Sequence, residues 1–374
     1  MEPIYLDNNA TTPLDPNVFE AMRRFLVDDF GNPSSAHRFG RPPREGLEEA
    51  RRRVAACLGT RPDRIAFTRS GTEADGLAVA GRFAGRAHGR LITTDIEHPA
   101  VLETARALAG RGIIVEILPV DSDGIVCLET LEEALSRPAD LVSIMLANNE
   151  TGAVQPIGEA SCLCRAKGVP LHTDAVNAAG KMPVRVDELR VDLLSLSAHK
   201  FHGPKGAGVL YMRDRSLIEP LFFGGGQEGG LSPGTENVAG AVGLAEALAR
   251  ATAALPDAAD RMRELSERLL AGLRSLVPGI VENVSGEARL PNTLSLIIPG
   301  RDSTKLLARL DRAGIAVSAG AACHAGTRKP SSVLLAMGRT PEEALSTIRV
   351  SLSRFTTGEE IGRSLDMFRQ VLAR

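Results

Sequence analysis

The chain has 374 residues, more than one ordinary hydrophobic core organises, so its length predicts two domains. Lys and Arg together number 44 and Asp and Glu 46, which gives a formal net charge of −2. This balance excludes the basic excess that is typical of nucleic-acid-binding proteins. The first residues lack a basic segment followed by an apolar one, and no apolar run approaches the roughly 20 residues of a membrane helix, so we expect a cytoplasmic protein without a signal peptide.

The cysteines predict neither a disulfide framework nor a metal site. They number five, and they are Cys57, Cys127, Cys162, Cys164 and Cys323. An odd number without paired spacing is not typical of a disulfide-rich protein. Cys162 and Cys164 form a C-x-C pair, but no second cluster accompanies them, so we interpret them as small apolar residues of a helix and expect no bound metal.

Between Ile65 and about Arg213 the sequence alternates short apolar runs with helical patterns. Continuous apolar strands that are separated by helices predict a mostly parallel sheet, covered on both faces. The predicted strands are 90–95, 113–120, 140–148, 168–175, 191–199 and 206–213.

The pattern changes after about Val238. A long helical stretch follows, in which Pro256 predicts an interrupting turn, and then the strands "NTLSLIIP", "GIAVSAG" and "IRVSLS" alternate with helices. Within this region, "TPEEAL" (340–345) and "TTGEEI" (356–361) are typical capping boxes at helix starts.

The two patterns define the expected domains. Residues 15–250 are predicted to form a large domain around the mostly parallel sheet. Residues 1–14 and 251–374 are predicted to form a smaller α/β domain, which carries Cys323.

Polar residues follow the predicted strands of the large domain. In open parallel sheets, ligands bind beyond the carboxyl ends of the strands, where successive loops face one cleft. A single polar residue there is more often a turn or a cap, but agreement among several loops indicates a binding cleft. These residues are His98, Asn149, Glu150, Asp174, Asn177, His199 and Lys200.

An anion site is indicated by "FTRSGTEADGLAVAG", where a predicted strand meets a helix at Ser70, Gly71 and Thr72. Free backbone N–H groups at a helix N-terminus bind phosphate, although Ser70 is equally typical of a simple helix cap. The glycines of "GGGQEGGLSPGTEN" (224–237) also allow a close approach to phosphate. Neither this segment nor "GPKGAG" (203–208) matches a dinucleotide or P-loop pattern, which excludes both classes of site.

A lysine, an aspartate, a histidine and a phosphate cradle at one sheet edge are typical of a pyridoxal phosphate (PLP) site. Lys200 supplies the amine for a Schiff base with this cofactor, and Asp174 supplies the acid that pairs with its pyridinium nitrogen. A helix cap is the alternative for Asp174, but it leaves the placement of Lys200 unexplained. We therefore expect PLP as the cofactor.

Cys323 lies among small residues in "GIAVSAGAACHAGTRKPSSVL" (314–334) rather than among bulky apolar neighbours. His324, Arg328 and Lys329 follow it with potential positive charge, which favours a reactive thiolate. A spare loop cysteine is the alternative interpretation. Beside a PLP site, a nucleophile is the better one.

Ordered motifs extend over essentially the whole chain. They are "YLDNNATTPLDP", "GNPSSAHRFG", "FTRSGTEAD", "EHPAVL", "NNETGAVQPI", "HTDA", "SAHKFHGPKGAG", "GGGQE", "SPGTEN", "SAGAAC" and "IRVSLSRFTT". Through them the chain closely resembles the NifS-like cysteine desulfurases, which are class V aminotransferases of PLP fold-type I. The resemblance implies an α/β fold with a large domain around a mostly parallel mixed sheet and a smaller α/β domain.

The resemblance also implies roles for individual residues. Lys200 binds PLP covalently, His98 stacks on its ring and assists proton transfer, and Asp174 pairs with the pyridinium nitrogen. Arg349 binds the substrate carboxylate as a bidentate clamp, and Cys323 takes the sulfur. The other implied contacts are Asn149 (which also contacts substrate) and Asn177 at the ring hydroxyl, Gly71, Thr72, Ser197 and His199 at the phosphate, and Thr235 of the partner subunit in a homodimer.

The implied activity converts L-cysteine to L-alanine, with the sulfur held on Cys323 as a persulfide for an acceptor protein in iron–sulfur cluster or thio-cofactor assembly. The segment from Cys323 to Pro330 resembles the long loop of desulfurases that deliver persulfide to a separate acceptor. One alternative is a selenocysteine lyase that releases selenide and L-alanine, because "GAACH" (320–324) resembles the run in animal-type lyases. A non-catalytic PLP-fold sulfur-transfer or regulatory scaffold and a simple transaminase are the others.

The sequence departs from the family pattern at several positions. Asn177 stands where glutamine is usual, so its hydrogen bond to the cofactor is expected to be lost or bridged by water. Gly229 and Ser232 stand where arginines are usual, which removes positive charge near the mouth of the cleft. The chain also stops at Arg374, without the longer tail by which some members dock an iron–sulfur scaffold, which leaves that partner open.

Overall fold

The computed structural model describes residues 2–319 and 329–373, so Cys323 and His324 lie outside the described residues. Within these ranges the strands are β1 (Ile4–Tyr5), β2 (Ile65–Thr68), β3 (Arg90–Thr94), β4 (Ile114–Leu118), β5 (Leu141–Ser143), β6 (Leu171–Asp174), β7 (Leu193–Ser197), β8 (Gly208–Met212), β9 (Val281–Glu282), β10 (Thr293–Ile297), β11 (Ile315–Ala316), β12 (Ser318–Ala319) and β13 (Thr347–Ser351). The α-helices are α1 (Pro16–Val27), α2 (Arg41–Leu58), α3 (Gly71–Ala80), α4 (Pro99–Ala109), α5 (Leu128–Ala134), α6 (Ile157–Ala166), α7 (Val186–Leu189), α8 (Val238–Leu276), α9 (Ser303–Ala313), α10 (Ser332–Ala336), α11 (Pro341–Leu345) and α12 (Gly358–Leu372).

Within the described residues, the larger sheet has seven strands in the order β2-β8-β7-β6-β5-β3-β4. Strands β3 to β7 run parallel to one another, and β8 is antiparallel to both of its neighbours, β7 and β2. All residues of β2, β3 and β5 to β8 are buried, as expected of apolar strands that are covered on both faces. The predicted α/β fold with a mostly parallel mixed sheet is confirmed.

The second group of strands combines the last third of the chain with its first residues. β12, β13, β10 and β9 form an antiparallel sheet in that order, and β1 pairs in parallel with β11. These strands share one apolar core with α8, α9 and α12, which includes Ile4, Leu269, Leu294, Ile348 and Phe368. Strand β1 therefore ties the first residues of the chain to the core of the smaller sheet.

Helix α8 corrects one prediction from the sequence. The turn expected near Pro256 is wrong, because α8 continues from Val238 to Leu276 with Pro256 inside it. A proline in a helix interior donates no backbone hydrogen bond, and its ring crowds the preceding turn. The helix tolerates this cost because both halves are anchored: Leu248 packs in the core of the larger sheet and Leu269 in that of the smaller sheet.

Among the described helices, α8 is also long and apolar enough to cross a membrane, by length and composition alone. However, 56% of its most apolar window is buried inside the protein. Because these apolar residues build the two cores, we interpret α8 as a core helix of the fold and not as a membrane span.

Both predicted capping boxes are confirmed. The Thr340 hydroxyl accepts a hydrogen bond from the Glu343 N–H at the start of α11, and the Glu343 carboxylate accepts one from the Thr340 N–H. Thr357 and Glu360 repeat this arrangement at the start of α12. The boxes satisfy backbone donors that a helix start otherwise leaves unpaired.

We expect Pro256→Ala to raise the thermal unfolding midpoint, because alanine restores the missing helical hydrogen bond and removes the crowding. An interior proline costs about 3 kcal/mol, of which its restriction of the unfolded chain offsets up to about 1 kcal/mol, so we expect a gain of roughly 2–3 kcal/mol. Circular dichroism during heating measures the midpoint. Pro341→Ala is the matched control, since a proline in the first helical turn removes no helical hydrogen bond. An unchanged or lower midpoint in Pro256→Ala contradicts the expectation.

Candidate active site

The carboxyl ends of the parallel strands meet at one edge of the larger sheet. Strands β7, β6, β5 and β3 are consecutive in the sheet, and β2 runs in the same direction on the far side of β8. The residues that follow these strands therefore lie at the same edge, as the sequence predicts. They include Lys200, Asp174, Asn149 and His98, and the start of α3.

Lys200 ends a turn of 3₁₀-helix, Ala198–Lys200, directly after β7. Its Nζ donates hydrogen bonds to the backbone carbonyls of Asn9 and Ala10 in the N-terminal segment. Because carbonyl oxygens carry only partial charge, these contacts orient the amine without the full stabilisation that a bonded carboxylate gives to the charged form.

The pKa of Lys200 is lowered to about 8. Burial is the largest cause and the positive charge of Arg349 adds to it, whereas the carboxylates of Asp174 and Asp7 act in the opposite direction. An appreciable fraction of the amine is therefore unprotonated near neutral pH. Only the unprotonated amine forms a Schiff base or accepts a proton, so this lysine suits covalent and base chemistry.

Asp174 ends β6 and is buried, and its Oδ1 accepts a hydrogen bond from the Val176 N–H at 2.8 Å. Burial raises the pKa of the carboxyl group, while His98 and Lys200 lower it. A buried carboxylate needs a cationic partner to stay ionised. The surroundings of Asp174 therefore suit a ligand with a positively charged ring nitrogen.

His98 caps helix α4, where its Nδ1 accepts a hydrogen bond from the Ala100 N–H at 3.1 Å. An accepting Nδ1 places the proton of the neutral ring on Nε2. Burial lowers the pKa of His98, Asp174 raises it, and Lys200 lowers it. The cap thus fixes the orientation of the imidazole close to Asp174 and Lys200.

Ser70 is the N-cap of α3, and its hydroxyl accepts a hydrogen bond from the Glu73 N–H at 3.1 Å. The helix cap considered in the sequence is therefore present. It leaves the N–H groups of Gly71 and Thr72 without intrahelical partners, because no helical turn precedes them. Thr72 is exposed, so the positive end of α3 stays open to an anion such as phosphate.

Gly71 brings the start of α3 into close contact with the loop after β6 and the end of β7. A Cβ atom at this position would lie 2.8 Å from Cγ2 of Val176 and 3.2 Å from Cβ of Ser197. A larger residue would therefore push the helix away from Ser197. The close fit places the Ser197 hydroxyl beside the helix N-terminus, which is the arrangement that a phosphate cradle needs.

His199 is held by the N-terminal segment. Its Nδ1 lies 3.1 Å from Oγ1 of Thr11, and its backbone carbonyl accepts hydrogen bonds from the N–H and the hydroxyl of Thr12. Burial lowers the pKa of His199 to about 4, assisted by Lys200 and two other lysines. The ring is therefore neutral at pH 7, and it contributes hydrogen bonds but no charge.

Arg349 lies on β13 of the smaller sheet and reaches the loop after β5. Its Nη1 donates to the backbone carbonyl of Asn149 at 2.9 Å, and its Nη2 donates to Oδ1 of Asp7 at 2.7 Å. Its Nε is buried and has no hydrogen-bond partner in the described part of the chain. The structure thus brings together the two residues that the resemblance assigns to substrate.

Asn177, which stands where glutamine is usual in the family, is hydrogen-bonded to a lysine that was not predicted as a site residue. Its Oδ1 accepts a hydrogen bond from Nζ of Lys181 at 3.2 Å, and its Nδ2 donates to the Asn148 carbonyl at 3.3 Å. Lys181 is only 5% exposed, and burial, Lys200 and Arg349 all lower its pKa well below the usual value. The sequence shows a lysine four residues after Asn177, but nothing local indicates that it is buried.

Gly229 and Ser232, the two positions where arginine is usual in the family, have different surroundings. Gly229 has a φ of +61°, and the Arg215 guanidinium donates to its carbonyl, so positive charge is present at this position from another residue. Ser232 donates to Oε1 of Glu73 at 2.8 Å and supplies no charge. Thr235 is exposed in the same segment, and its contact with a partner subunit stays a prediction.

Glu150 links the loop after β5 to the chain beyond the cysteine segment. Its Oε2 accepts a hydrogen bond from the hydroxyl of Ser331, which caps α10 eight residues after Cys323. Burial raises the pKa of Glu150 to about 7, although Ser331 and Arg349 lower it. The residue next to Asn149 therefore changes charge near neutral pH.

A buried polar network next to Asp174 was missed from the sequence. His172, two residues earlier on β6, forms hydrogen bonds with the hydroxyls of Ser143 and Ser195 at 2.8 and 3.0 Å. Burial lowers the pKa of His172 to about 3, and burial together with Asp174 raises that of Asp75, which lies 3.6 Å from His172. The His172 ring is therefore neutral at pH 7, and burial disfavours the charged form of Asp75. The only sequence signal is that alternate residues of one strand share a face.

Glu97, which precedes His98, is a second buried acid that was missed. Its Oε1 accepts hydrogen bonds from the Thr94 hydroxyl at 2.7 Å and the Met145 N–H at 2.9 Å. Its Oε2 is buried without a hydrogen-bond partner among the described residues. Burial, with smaller contributions from neighbouring acids, raises the pKa of Glu97 to about 8, so the carboxyl group holds a proton at neutral pH.

Comparisons with known proteins agree with this site. Residues 4–363 match the aminotransferase class-V family. The cysteine desulfurase IscS of Dictyoglomus turgidum is 42% identical over 371 residues, covering 99% of this chain and 94% of that protein. The cysteine desulfurase of Klebsiella pneumoniae is 43% identical over 362 residues, covering 96% and 90%.

Solved structures of similar proteins have the same fold. A NifS-like protein superposes with a TM-score of 0.93 at 41% identity and covers 99% of both chains. A structure described as SspA in complex with cysteine superposes with a TM-score of 0.83 at 34% identity, covering 95% of this chain and 100% of that one. The fold and the lysine-centred sheet edge are those of a PLP-dependent enzyme of fold-type I. The chain belongs to the aminotransferase class-V family, and it is similar throughout to its NifS-like cysteine desulfurases.

The described residues fit the PLP cofactor of this family. The position of Gly71, where a Cβ would clash, shapes a cradle for the phosphate at the start of α3. Lys200 has the lowered pKa that a Schiff-base lysine needs, and the buried Asp174 needs the cation that a pyridinium nitrogen provides.

We expect Glu97→Gln to remove a pH-dependent loss of stability in the PLP-free protein. Because the pKa of Glu97 is raised in the folded state, its proton stabilises the fold fully below about pH 4.5, and this contribution is lost as the pH rises through about 8. The unfolding free energy of Glu97→Gln relative to wild type should therefore rise by a few kcal/mol, on the order of 1.4 per pH unit of raised pKa, between pH 5 and 9. Denaturant unfolding at several pH values measures the difference. Glu132→Gln, at an exposed glutamate, is the control; equal pH profiles for both variants contradict the assignment.

Proposed function

We propose that this protein is a PLP-dependent cysteine desulfurase, which converts L-cysteine to L-alanine and transfers the sulfur to Cys323 as a persulfide. The observation that carries the proposal is Lys200, a buried amine with its pKa lowered to about 8, at the same sheet edge as Asp174 and His98. Cysteine desulfurases that are 42% and 40% identical over almost the whole chain support it.

Residues at the sheet edge would hold the cofactor. Lys200 would bind PLP covalently, Asp174 would pair with the ring nitrogen, and His98 would cover one face of the ring. When bound, PLP supplies an electron sink that acidifies the hydrogen on the substrate α-carbon. The remaining proposed contacts are Asn149 and Asn177 at the ring hydroxyl, and Gly71, Thr72, Ser197, His199 and Thr235 of the partner subunit at the phosphate.

Lys200 moves the substrate proton in this proposal. Its lowered pKa leaves part of the freed amine unprotonated at neutral pH, so Nζ accepts the proton from the substrate α-carbon. The carbonyls of Asn9 and Ala10 orient Nζ while it is not covalently bound. His98, whose Nδ1 is occupied by the helix cap, assists the transfer through Nε2.

Arg349 and Cys323 act on the two ends of the substrate. The Arg349 guanidinium binds the carboxylate, with Asn149 beside it. The Cys323 thiolate attacks the substrate Sγ, so that an S–S bond forms as the substrate Cβ–Sγ bond breaks. The electron pair of the broken bond and one proton complete the methyl group of alanine, and the persulfide passes its terminal sulfur to an acceptor thiol.

The proposal includes the arrangement of the whole protein. Residues 15–250 form the large PLP-binding domain, and residues 1–14 and 251–374 form the small domain that carries Cys323. The protein acts as a cytoplasmic homodimer, to which Thr235 contributes a contact across the interface. Its sulfur goes to an acceptor protein of iron–sulfur cluster or thio-cofactor assembly.

Selenocysteine lyase is the second candidate, because His324 follows Cys323 in the run "GAACH". A selenol is more acidic and leaves more easily than a thiol, so a selenocysteine-specific enzyme depends less on a cysteine nucleophile. A non-catalytic scaffold is disfavoured, because Lys200, Asp174 and Arg349 are all retained and packed at one place. A simple transaminase has no use for Cys323.

We expect the PLP-loaded protein to release L-alanine from L-cysteine under reducing conditions. Side-by-side assays with L-cysteine and L-selenocysteine separate the candidates, because both substrates yield the same amino acid. Comparable rates, or a preference for cysteine, support the desulfurase. Release from selenocysteine alone would make the enzyme a lyase, and release from neither would refute the proposed function.

We expect Cys323→Ala to abolish persulfide formation while leaving the PLP absorbance intact. Lys200→Ala should also abolish persulfide formation, because it removes the proton acceptor. It removes the amine that binds PLP covalently as well, so borohydride no longer fixes the cofactor to the protein. Cys162→Ala, at an exposed cysteine, is the matched control and should leave both readouts unchanged. Persulfide formation in Cys323→Ala at the wild-type rate would show that another thiol accepts the sulfur.

A further inference from the structure

The Arg349 guanidinium is already partly occupied by the protein. Its Nη2 donates to the Asp7 carboxylate at 2.7 Å, and its Nη1 donates to the Asn149 carbonyl at 2.9 Å. Both contacts lie away from solvent, since the Arg349 side chain is 6% exposed and that of Asp7 is 20% exposed. Two different elements therefore fix the two Nη atoms.

The third nitrogen of the Arg349 guanidinium, Nε, has no protein partner within the described ranges. It is buried, and a buried guanidinium donor normally has a hydrogen-bond partner. An unpaired buried donor is unfavourable, because it gives up its hydrogen bonds to water without gaining others. A carboxylate that accepts from Nε removes this cost and gains a charge-assisted hydrogen bond. The protein contacts thus leave one edge of the guanidinium for an anion.

Asp7 itself is rigidly placed. The chain segment before it pairs with β11 through β1, and Asp7 forms a parallel bridge with Ser351, at the end of β13. The Tyr5 hydroxyl donates to the backbone carbonyls of Asp7 and Thr11, which closes the turn between them. The Asn9 N–H donates to the hydroxyl of Ser351. The backbone that carries the Asp7 carboxylate is therefore held in place, which limits how far the carboxylate can follow a guanidinium that moves.

We propose that Asp7 is a positioning residue that holds Arg349 with its Nε edge turned to the substrate, and so confers selectivity for substrates with an α-carboxylate. This inference rests on the proposed function, in which Arg349 binds the substrate carboxylate. Asp7 takes no part in bond making or breaking. Its contribution is to fix the guanidinium before the substrate arrives, so that binding does not have to order it.

Two opposing effects of Asp7 on substrate have to be weighed. Its negative charge repels the substrate carboxylate, which weakens binding. Without it, however, a buried guanidinium loses its only ion-pair partner among the described residues and turns toward other acceptors. Orientation dominates in this site, because the Asn149 carbonyl alone holds one Nη atom and leaves the guanidinium free to rotate about that contact.

The two effects predict opposite results for Asp7→Ala, which makes the inference testable with the holoenzyme. The dissociation constants of L-alanine and of ethylamine, which is L-alanine without its carboxylate, are measured by titration of the cofactor absorbance. The kcat and KM for L-cysteine are measured alongside. Asp7→Asn is the conservative variant, since its amide oxygen still accepts from Nη2. Asp63→Ala, which removes an exposed carboxylate paired with Arg61, is the matched control.

We expect Asp7→Ala to weaken L-alanine binding and to raise the KM for L-cysteine about tenfold, which corresponds to about 1.4 kcal/mol. Ethylamine binding should stay within about twofold and kcat within about threefold, because neither depends on the carboxylate contact and Asp7 is the smallest of the named influences on the pKa of Lys200. Asp7→Asn should recover L-alanine binding to within about threefold of wild type, since it keeps the hydrogen bond. Asp63→Ala should match wild type throughout.

Three results would overturn the role of Asp7. They are L-alanine binding that is unchanged or tighter in Asp7→Ala, an equal loss for ethylamine, and an Asp7→Asn variant that is no better than Asp7→Ala. If Asp7→Ala does not fold, Asp7→Asn decides alone. L-alanine binding that is tenfold weaker in this variant would also overturn the role of Asp7, because the variant keeps the hydrogen bond to Arg349. Wild-type protein that neither binds L-alanine nor acts on L-cysteine would refute the proposed function itself, which is a different outcome from an active wild type that is insensitive to Asp7.

Discussion

Burial of like charges at one sheet edge is the constraint on which the site depends. Lys200, Lys181 and Arg349 lie close together, and the positive charge of Arg349 lowers the pKa of both lysines. Backbone carbonyls accept hydrogen bonds from both lysines, and the Asp7 carboxylate pairs with the guanidinium. Because lysine gives up its proton on burial far more readily than arginine does, one arrangement yields both a reactive amine and a permanent cation.

The first residues of the chain connect these charges. Strand β1 pairs with β11 and packs in the core of the smaller sheet. Asp7 then contacts Arg349, and the carbonyls of Asn9 and Ala10 accept from Lys200 a few residues later. One short segment therefore sets the separation between an arginine of the smaller sheet and a lysine of the larger one. None of its residues is reactive, which is why motifs chosen for chemistry do not indicate its importance.

Local patterns in the sequence predicted the parts of the structure that depend on interactions between residues close in sequence. Apolar runs marked the strands of the larger sheet, and two capping boxes marked the starts of α11 and α12. The turn predicted at Pro256 was wrong, because the packing of both halves of α8 outweighs the local cost of proline. The contact between Asp7 and Arg349 joins residues 342 positions apart, and the burial of Lys181 depends on side chains from several elements. Such partners follow from the fold and cannot be read from neighbours in sequence.

Helix α8 gives the protein a property that neither core has alone. Its first half supplies Leu248 to the core of the larger sheet, and its second half supplies Leu269 to that of the smaller sheet. Both halves belong to one helix, Val238–Leu276, with Pro256 inside it. Helix formation is cooperative, so melting of either half frays the end of the other. We therefore expect the stabilities of the two cores to be coupled through α8, so that a substitution that weakens the smaller core also destabilises the sheet that positions Lys200.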